Sequence, residues 1–486
     1  MENASCAATQ RYRLDASQSK FIAHTLAERN LTAPFSIRSR PRSSCEKNSA
    51  LGIMPTMNGL PNERRKLLDG LQADAFKYFL HEVNSANGLV VDCTKKNFPC
   101  SIAATGLALS AYPLGVERGF LSRSRAVERT LTTLRFFANS EQSKRPEASG
   151  YKGFYYHFLD MKTGRRTWDS ELSTVDSAFL IAGMLAAAVY FDRDSQKEAE
   201  IRTLADELYR RVDWHWATNR AESLTHGWKP KPGFLRYRWK RYDESLLLYV
   251  LGLGSPTFPL PPESYHARTS QYKWKKIYGY EYLFAGPLFT HQFSHIWLDL
   301  REIQDKFMRK HGIDYFENSR RATYVQREYA RRNPKEWEGY NEVCWGLTAC
   351  EGPGPKILRI KGKERKFFDY VARGAPYGPD DGTVAPWAVV ASLPFAPEIV
   401  LPTLEHFKKT EVGKHRYGLE ATFNTTFPAE DCPTCGWLSP WHYGINQGPI
   451  VLMIENHRNG FLWNLMRTCP YIVNGLRRAG FKGGWL

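Results

Sequence analysis

The sequence predicts an all-α protein in which buried helices are wrapped by amphipathic ones, an (α/α)-type toroid with minor β pieces. Three observations lead there. Helical periodicity recurs from about residue 61 onward. Very apolar segments (172–191, 245–253 and 385–393) alternate with charged, one-faced segments, as buried and wrapping helices would require. Long loops rich in Gly, Pro and aromatic residues separate them, as in GWKPKPGFLRYRW and GAPYGPDDGTVAP, and such loops commonly carry function.

Element by element, NERRKLLDGLQADAFKYFLHEV, SRAVERTLTTLRFFANS and SQKEAEIRTLADELYRRVDWHW are amphipathic helices. TVDSAFLIAGMLAAAVYF and ESLLLYVLGLG are apolar ones. SHIWLDLREIQDKFMRKHG and DYFENSRRATYVQREYARRN follow as two helices joined near Gly312. APWAVVASL, APEIVLPTLEHFKKT, QGPIVLMIENHRNGFLWNLMR and a segment near Val473 complete the set. Strand alternation is confined to short pieces near 88–93, 153–168 and 419–427. Residues 1–60 are rich in Ser, Arg and Asn, lack periodicity and lack the apolar core of a secretory signal. They read as a disordered extension, with Met54 and Met57 as alternative starts just before the first helix. The expected organisation is therefore this extension followed by a single catalytic domain over 61–486.

The chain has 486 residues, 42% of them hydrophobic, and a net charge of +17. The cations are dispersed, with no long basic run, so nucleic acid is not an expected partner. The Ala178–Phe191 run is too short to span a bilayer, and no segment reads as a transmembrane helix. Nine cysteines form no regular framework, which favours a reducing compartment and, with no signal visible, the cytoplasm; a misplaced start would make the periplasm the alternative. Cys432 and Cys435 form a lone CxxC without the second pair a zinc ribbon needs. Aromatic residues make up 14% of the chain and often sit beside polar ones, as in GFYYHF, a composition that suits stacking of flat ligands such as sugars.

Chemistry concentrates at RTWDSELSTVDSAFLIAGMLAAAVYF, residues 166–191, where Asp169, Glu171 and Asp176 precede an apolar helix. Ser173 and Asp176 match a capping box, and acids suit a helix N-terminus, so a purely structural reading stands beside a catalytic one. The pattern recurs. Asp243 and Glu244 precede LLLYVLGLG, Glu351 sits in the rigid CEGPGP loop, and Asp380 and Asp381 precede TVAPWAVVASL. If these helices start on one side of the fold, the acids converge on one mouth. Two carboxylates beside an aromatic-lined site are the equipment of glycoside hydrolysis. Burial beside Leu246–Leu248 would raise the Glu244 pKa, as an acid catalyst needs. His291 and His295 are four apart, but no HExxH exists, so sugar hydrogen bonding or capping is preferred to metal ligation. No metal or other cofactor is expected.

HQFSHIWLDLR, DYFENSRRATYVQREYA, CWGLTA, DGTVAP and GINQGPIVLMIENHR, with ERGFLSR, GFYYHFLDMKTGRR and SELSTVDSA upstream, resemble the motifs of the bacterial endo-β-1,2-glucanase family, whose domain is called glucoamylase-like. The resemblance runs from about residue 62 to 470. It implies an (α/α)6 barrel acting on β-1,2-glucans without cofactor, with relatives that hydrolyse internally, release sophorose, or transglycosylate. By position, Glu244 is similar to the family's general acid, and Glu171 and Asp176 match acidic cleft positions. Arg320, Tyr324, Gln326, Glu342 and Trp345 fall in motifs expected to line sugar subsites; Trp168, His291, Gln292, Asp381, Asn446 and Gln447 are further substrate-binding candidates.

Two positions depart from the family pattern. GIDQGP is here GINQGP, so Asn446 replaces an acid, and ASDGP is here ACEGP, with Glu351. Asparagine accepts no proton at neutral pH, so a base must come from Glu351, Asp431 or a relayed water. The expected function is hydrolysis of β-glucan, most of all β-1,2-glucan, by paired carboxylates. Transglycosylation, cleavage of another linkage and a catalytically impaired glycan-binding protein are the alternatives that Asn446 motivates. The net charge adds an anionic-substituted glucan as a candidate partner.

Overall fold

In the computed structural model, residues 59–410, 412, 415–429 and 436–486 are described. The predicted N-terminal extension, apart from its last two residues, and Met54, Met57, Asp431, Cys432 and Cys435 lie outside them. Fifteen α-helices occur among the described residues: α1 Asn62–His81, α2 Ile102–Glu117, α3 Arg123–Asn139, α4 Thr174–Tyr190, α5 Gln196–Arg210, α6 Leu246–Gly254, α7 Glu263–Thr269, α8 Phe293–Trp297, α9 Lys306–His311, α10 Tyr315–Arg332, α11 Pro386–Ala391, α12 Pro397–Lys409, α13 Gly444–Asn459, α14 Phe461–Arg467 and α15 Pro470–Arg478.

The helices divide by sequence character. α2, α4, α6, α8, α11 and α13 are buried almost throughout. Among them α2 packs on α4 and α13, α4 on α6, α6 on α8, α8 on α13, and α13 on α11. The amphipathic helices pack on these: α1 on α13, α5 on α4, α12 on α11 and α15 on α6. Each buries one face and leaves charge on the other.

Two expected helices break. The SHIWLDLREIQDKFMRKHG segment holds α8 and α9 with non-helical chain between them; Asp305 caps α9 through the Met308 N–H at 2.8 Å, and Gly312 closes it at φ +70°. The last long segment breaks at Gly460, φ +67°, into α13 and α14. α2 and α7 are helices where no helix was expected.

Strands are short. Five form one antiparallel sheet in the order Gly150–Tyr151, Phe154–Tyr156, Leu172–Ser173, Gly227–Lys229, Gly233–Phe234. This sheet feeds directly into α4. Cys100–Ser101 pairs with Phe158–Leu159 just before α2 begins. Two hairpins, Trp274–Ile277 with Tyr280–Leu283 and Lys356–Ile360 with Lys363–Phe367, were not anticipated.

The tightest contact between helices is backbone on backbone. A Cβ on Gly183 of α4 would stand 2.0 Å from the Gly106 carbonyl oxygen of α2, and one on Gly106 would stand 2.4 Å from the Phe179 oxygen. Gly254 and Gly475 bring α6 against α15 in the same way. Replacing Gly183 by Ala should therefore cost roughly 1–3 kcal/mol through forced separation of α2 and α4. Gly70→Ala, at an exposed α1 position with open space around it, should instead gain up to ~1 kcal/mol. Thermal melts of the two variants should shift in opposite directions.

Candidate functional site

The residues around the start of α4 are built from its N-cap outward. Ser173 Oγ accepts the Asp176 N–H at 3.2 Å and donates to Asp176 Oδ2 at 2.5 Å, so the capping reading of this stretch is met. The same carboxylate faces a second partner: His157 Nε2 stands 3.7 Å from Asp176 Oδ2, and His157 Nδ1 stands 3.0 Å from Glu171 Oε1. The imidazole is thus clamped between two carboxylates. It also stacks on Phe158 at 4.0 Å and 11°. Burial alone would depress its pKa, but Asp176, Glu171 and Asp92 override that and raise it to about 10, so it is an imidazolium. In return the Glu171 carboxyl, which burial would raise, is held below its ordinary value by the hydrogen bond from His157, by its charge and by Lys229.

Glu244 comes from the other side of the same cluster. Its backbone is pinned by Ser294 of α8, whose Oγ donates to the Glu244 carbonyl at 2.8 Å and accepts the Leu247 N–H at 3.1 Å. The segment leading to it is tied to α4, because Trp239 Nε1 donates to Thr174 Oγ1 at 3.0 Å. The Glu244 side chain is partly exposed, yet protein surrounds it. Burial, then the Asp243 carboxyl, then Asp176 raise its pKa to about 8, against its own backbone amide and Arg268. Asp243 accepts from the Ser245 N–H at 3.1 Å and from the Ser245 hydroxyl, and pairs with the charge of Arg268 at 3.7 Å. Glu244 therefore holds its proton at neutral pH, whereas Glu171 is ionised. Such a division is what separates an acid from its partners in a carboxylate site.

Asp92, which the sequence reading did not single out, joins this group. Burial raises its pKa to about 6, His157 opposes that rise and Asp176 adds to it. Its carbonyl accepts the Gly444 N–H at 2.9 Å, which brings the 92–98 loop against the start of α13. Asn446 lies in that first turn of α13, nearly buried. Just before it, Tyr443 donates its hydroxyl to Glu351, and Ser439 donates to the other oxygen of the same carboxyl. Burial raises Glu351 to about 7, with Ser439, Lys95 and Arg373 pulling down and Asp369 pushing up. Glu351 and Asn446 are thus linked through Tyr443.

Other expected site residues are consumed by the protein itself. Asp381 is fully buried in a two-bonded pair with Arg373, at 2.7 and 2.8 Å, and that arginine also holds the Cys350 carbonyl at 2.6 Å. Through Arg373 it supports the loop that carries Glu351. Asp380 accepts from Tyr329, Trp337 and Tyr340. His291 bonds the Ala285 carbonyl at 3.2 Å, and Gln292 bonds the Ala388 carbonyl at 2.6 Å and Ser392 at 2.8 Å. Gln326 bridges the Gly286 carbonyl and the Leu347 N–H. Trp345 Nε1 donates to Thr403 at 2.9 Å, and Gln447 lies 3.4 Å from His442 Nδ1. All of these are buried, because loops packed between helices must satisfy their backbone groups with polar side chains. Arg320 and Tyr324 contact Glu317, Glu398 and Tyr280, none of which belongs to the cluster. Glu342 is exposed on the loop whose carbonyl meets Arg327. Trp168 stands apart from these, 46% exposed beside Phe158 and Phe98.

Asp92 and His157 were missed because each sits on a short β segment, where one acid or one histidine carries no periodic signal. GFYYHF, with its lone His among aromatics, was the visible trace. Among the described residues no group of three or more His, Cys, Asp or Glu side chains is arranged to hold a metal. A separate cavity of about 540 Å³, lined by Asn87, Arg135, Phe136, Glu141 and Arg165 among others, contains none of the cluster.

The family model described as "Putative glucoamylase" matches residues 236–470. A solved structure described as a "putative glucoamylase" from Bacteroides uniformis is 30% identical, with a TM-score of 0.76 over 87% of this chain and 98% of that one. The chain belongs to this glucoamylase-like family, the bacterial β-1,2-glucanase family. Another member, an endo-β-1,2-glucanase from Chitinophaga pinensis solved with sophorotriose and glucose, is 26% identical with a TM-score of 0.76 over 87% of this chain and 99% of that chain. The exo β-1,2-glucooligosaccharide sophorohydrolase (non-reducing end) of Parabacteroides distasonis is 27% identical over 470 residues, 89% of this chain. The chain spans 60% of that relative's length.

The proton placement has a consequence for stability, with a fixed sign. Glu244 holds a proton in the folded chain up to about pH 8 that the unfolded chain releases near the ordinary glutamate value of 4.5, so wild-type stability falls as pH rises between these values. Glu244→Gln removes that slope, so its Tm advantage over wild type should grow from pH 5 to pH 8 and level off above. His157 is also raised, from 6.5 to about 10. Its contribution is fully present below pH 6.5 and lost as pH climbs through about 10. His157→Gln should therefore cost more at pH 6 than at pH 9, read by thermal melts at each pH.

Proposed function

We propose that the chain is a glycoside hydrolase acting on β-glucan, foremost β-1,2-glucan, and that residues 61–486 form one catalytic domain. The architecture we propose is an (α/α)6 barrel. In its support, the contacts α2–α4–α6–α8–α13–α2 close on themselves, and α11 joins through Phe293–Trp387 and Gln292–Ala388. The observation that carries the functional reading is the gathering of Asp176, Glu171 and Asp92 around one imidazolium at the start of a buried helix, with Glu244 beside Asp176 and kept protonated by burial and Asp243.

In this reading Glu244 is the general acid and gives its proton to the leaving glycosidic oxygen. An acid needs its proton at the working pH, and the shift to about 8 supplies it. Glu351 is the carboxylate that activates water, in place of the acid that Asn446 replaces. Its two hydroxyl donors fix its orientation. Asp176, Glu171 and Asp92 hold sugar hydroxyls and offset charge that develops on the ring, and His157 keeps Glu171 ionised. Asn446, with an amide that both donates and accepts, is a sugar-binding group here. The same residue supports a second reading, transfer to a sugar acceptor, because weak water activation favours it.

Purified full-length chain incubated with β-1,2-glucan should shorten it, with products read by chromatography; unchanged chains after long incubation would refute the proposal, and products longer than the substrate would establish transfer. Glu244→Gln and Glu351→Gln should each lower kcat by roughly 10²–10⁴-fold. The profile of kcat/KM should rise as the base ionises, through about pH 7 for Glu351, and fall as Glu244 loses its proton above about pH 8. Restoring an acid with Asn446→Asp should move the rising limb to lower pH, because a second carboxylate then competes for the base role.

A further inference from the structure

We propose that Trp168 and Phe98, with Lys95 at their edge, form a glucosyl-stacking subsite outside the carboxylate cluster. The inference rests on the functional reading above and deepens it, since it assigns the site a chain of several glucosyl units where catalysis alone needs only the two at the cleaved bond.

Trp168 is the one tryptophan among the strongly exposed large apolar residues of the described chain, at 46%. An indole buries more apolar area than almost any side chain, so packing alone would tuck it in. Here the backbone keeps it out. Trp168 and Asp169 are consecutive left-handed residues, φ +55° and +49°, a conformation that bulky side chains rarely adopt. The turn is fixed from several directions. Asp169 is paired with Arg166 at 2.6 Å and Lys229 at 3.3 Å, and Arg166 Nε donates to the Ser170 carbonyl at 2.6 Å. The Thr167 N–H donates to the Phe158 carbonyl at 3.1 Å. A strained turn this heavily braced, presenting an aromatic ring to solvent, is a feature that folding alone does not explain.

Its neighbours place it beside the reacting groups. Phe158 meets Trp168 at 5.2 Å and stacks on His157, which clamps Glu171 and Asp176. Phe98 meets Trp168 edge-on at 4.9 Å, and Lys95 Nζ lies 5.7 Å over the Phe98 ring. Lys95 also pulls on the Glu351 carboxyl, and its loop is joined to the start of α13 by the paired Thr94 and His442 amides. The platform therefore runs between the Glu171–Asp176 side of the cluster and the Glu351 side. A pyranose ring is flat enough on its C–H face to stack on an indole, and Lys95 can donate to its hydroxyls.

The test measures kcat and KM for β-1,2-glucooligosaccharides of increasing length with wild type, Trp168→Ala, Trp168→Phe and Phe98→Ala, each checked for an unchanged Tm. The expected result is that KM for the longest chains rises about tenfold in Trp168→Ala and that the advantage of long chains over short ones disappears, with partial retention in Trp168→Phe. Equal losses at every chain length, or none, would overturn the subsite. If wild type cleaves no β-1,2-glucan, the functional reading itself fails. Calorimetry of wild type and Trp168→Ala with β-1,2-, β-1,3- and β-1,4-linked oligosaccharides then decides the subsite alone. Binding of any of them that Trp168→Ala weakens about tenfold supports it, and binding absent from wild type or equal in both proteins overturns it.

Discussion

The site depends on how closely α2 and α4 approach. Their contact at Gly106 and Gly183 leaves no room for even a methyl group, so the two helices cannot slide or tilt without losing it. Ser101 opens α2 beside the strand that carries His157 and Phe158, and Ser173 opens α4 beside Glu171. Fixing one helix on the other therefore fixes the imidazole against both carboxylates. α6 and α13 pack on this pair and begin beside Glu244 and Asn446. The positive end of α4 lies beside Asp176, in its first turn, and favours that carboxylate.

Crowded carboxylates cannot all ionise without compensation. His157 supplies one positive charge, and its two nitrogens serve Glu171 and Asp176, so those two gain most from it. Glu244 stands outside the clamp and has no cation of its own, because Arg268 is closer to Asp243. The protonation of Glu244 is thus a result of its burial beside Asp243 and Asp176. The same clamp explains why the capping and catalytic readings of the 166–191 stretch do not compete. Asp176 has two oxygens; Oδ2 meets both the Ser173 hydroxyl and His157 at their respective distances, and the cap orients the carboxylate that the histidine charges.

What could be read from the sequence follows from range. Amphipathic helices such as α1, α3 and α10 were legible because their periodicity is local. α2 was not, since IAATGLALSAYPLGVE is apolar on every side and carries Pro113, so it shows no stripe. The acids at helix starts were legible for the same local reason, as capping positions. Asp92 and His157 were not, because contacts between distant segments place them: Cys100–Ser101 pairs with Phe158–Leu159, next to His157, and a Cys93–Tyr443 bridge lies next to Asp92. Sequence also could not show which polar candidates bond within the protein: His291, Gln292 and Gln326 meet backbone groups, Trp345 meets the Thr403 hydroxyl and Asp381 meets Arg373, all partners distant in the chain or set by loop geometry.

The two departures from the family motifs are best understood as one change. Asn446 removes a negative charge from the first turn of α13. Glu351 places one against Tyr443, the residue that caps the same helix. The glutamate side chain is one methylene longer than the aspartate of the family loop, and it reaches two hydroxyl donors, Ser439 and Tyr443, one on each oxygen. The loop that carries it is held from behind by Arg373, which is itself charged by the buried Asp381. The family loop is acidic at this position too, so this chain keeps one carboxylate where the family pattern has two, and these donors fix the one that remains. Burial leaves Glu351 near pH 7, where it can take a proton and give it back, which asparagine cannot do. In the proposed reading, the base role therefore falls to Glu351 rather than to position 446.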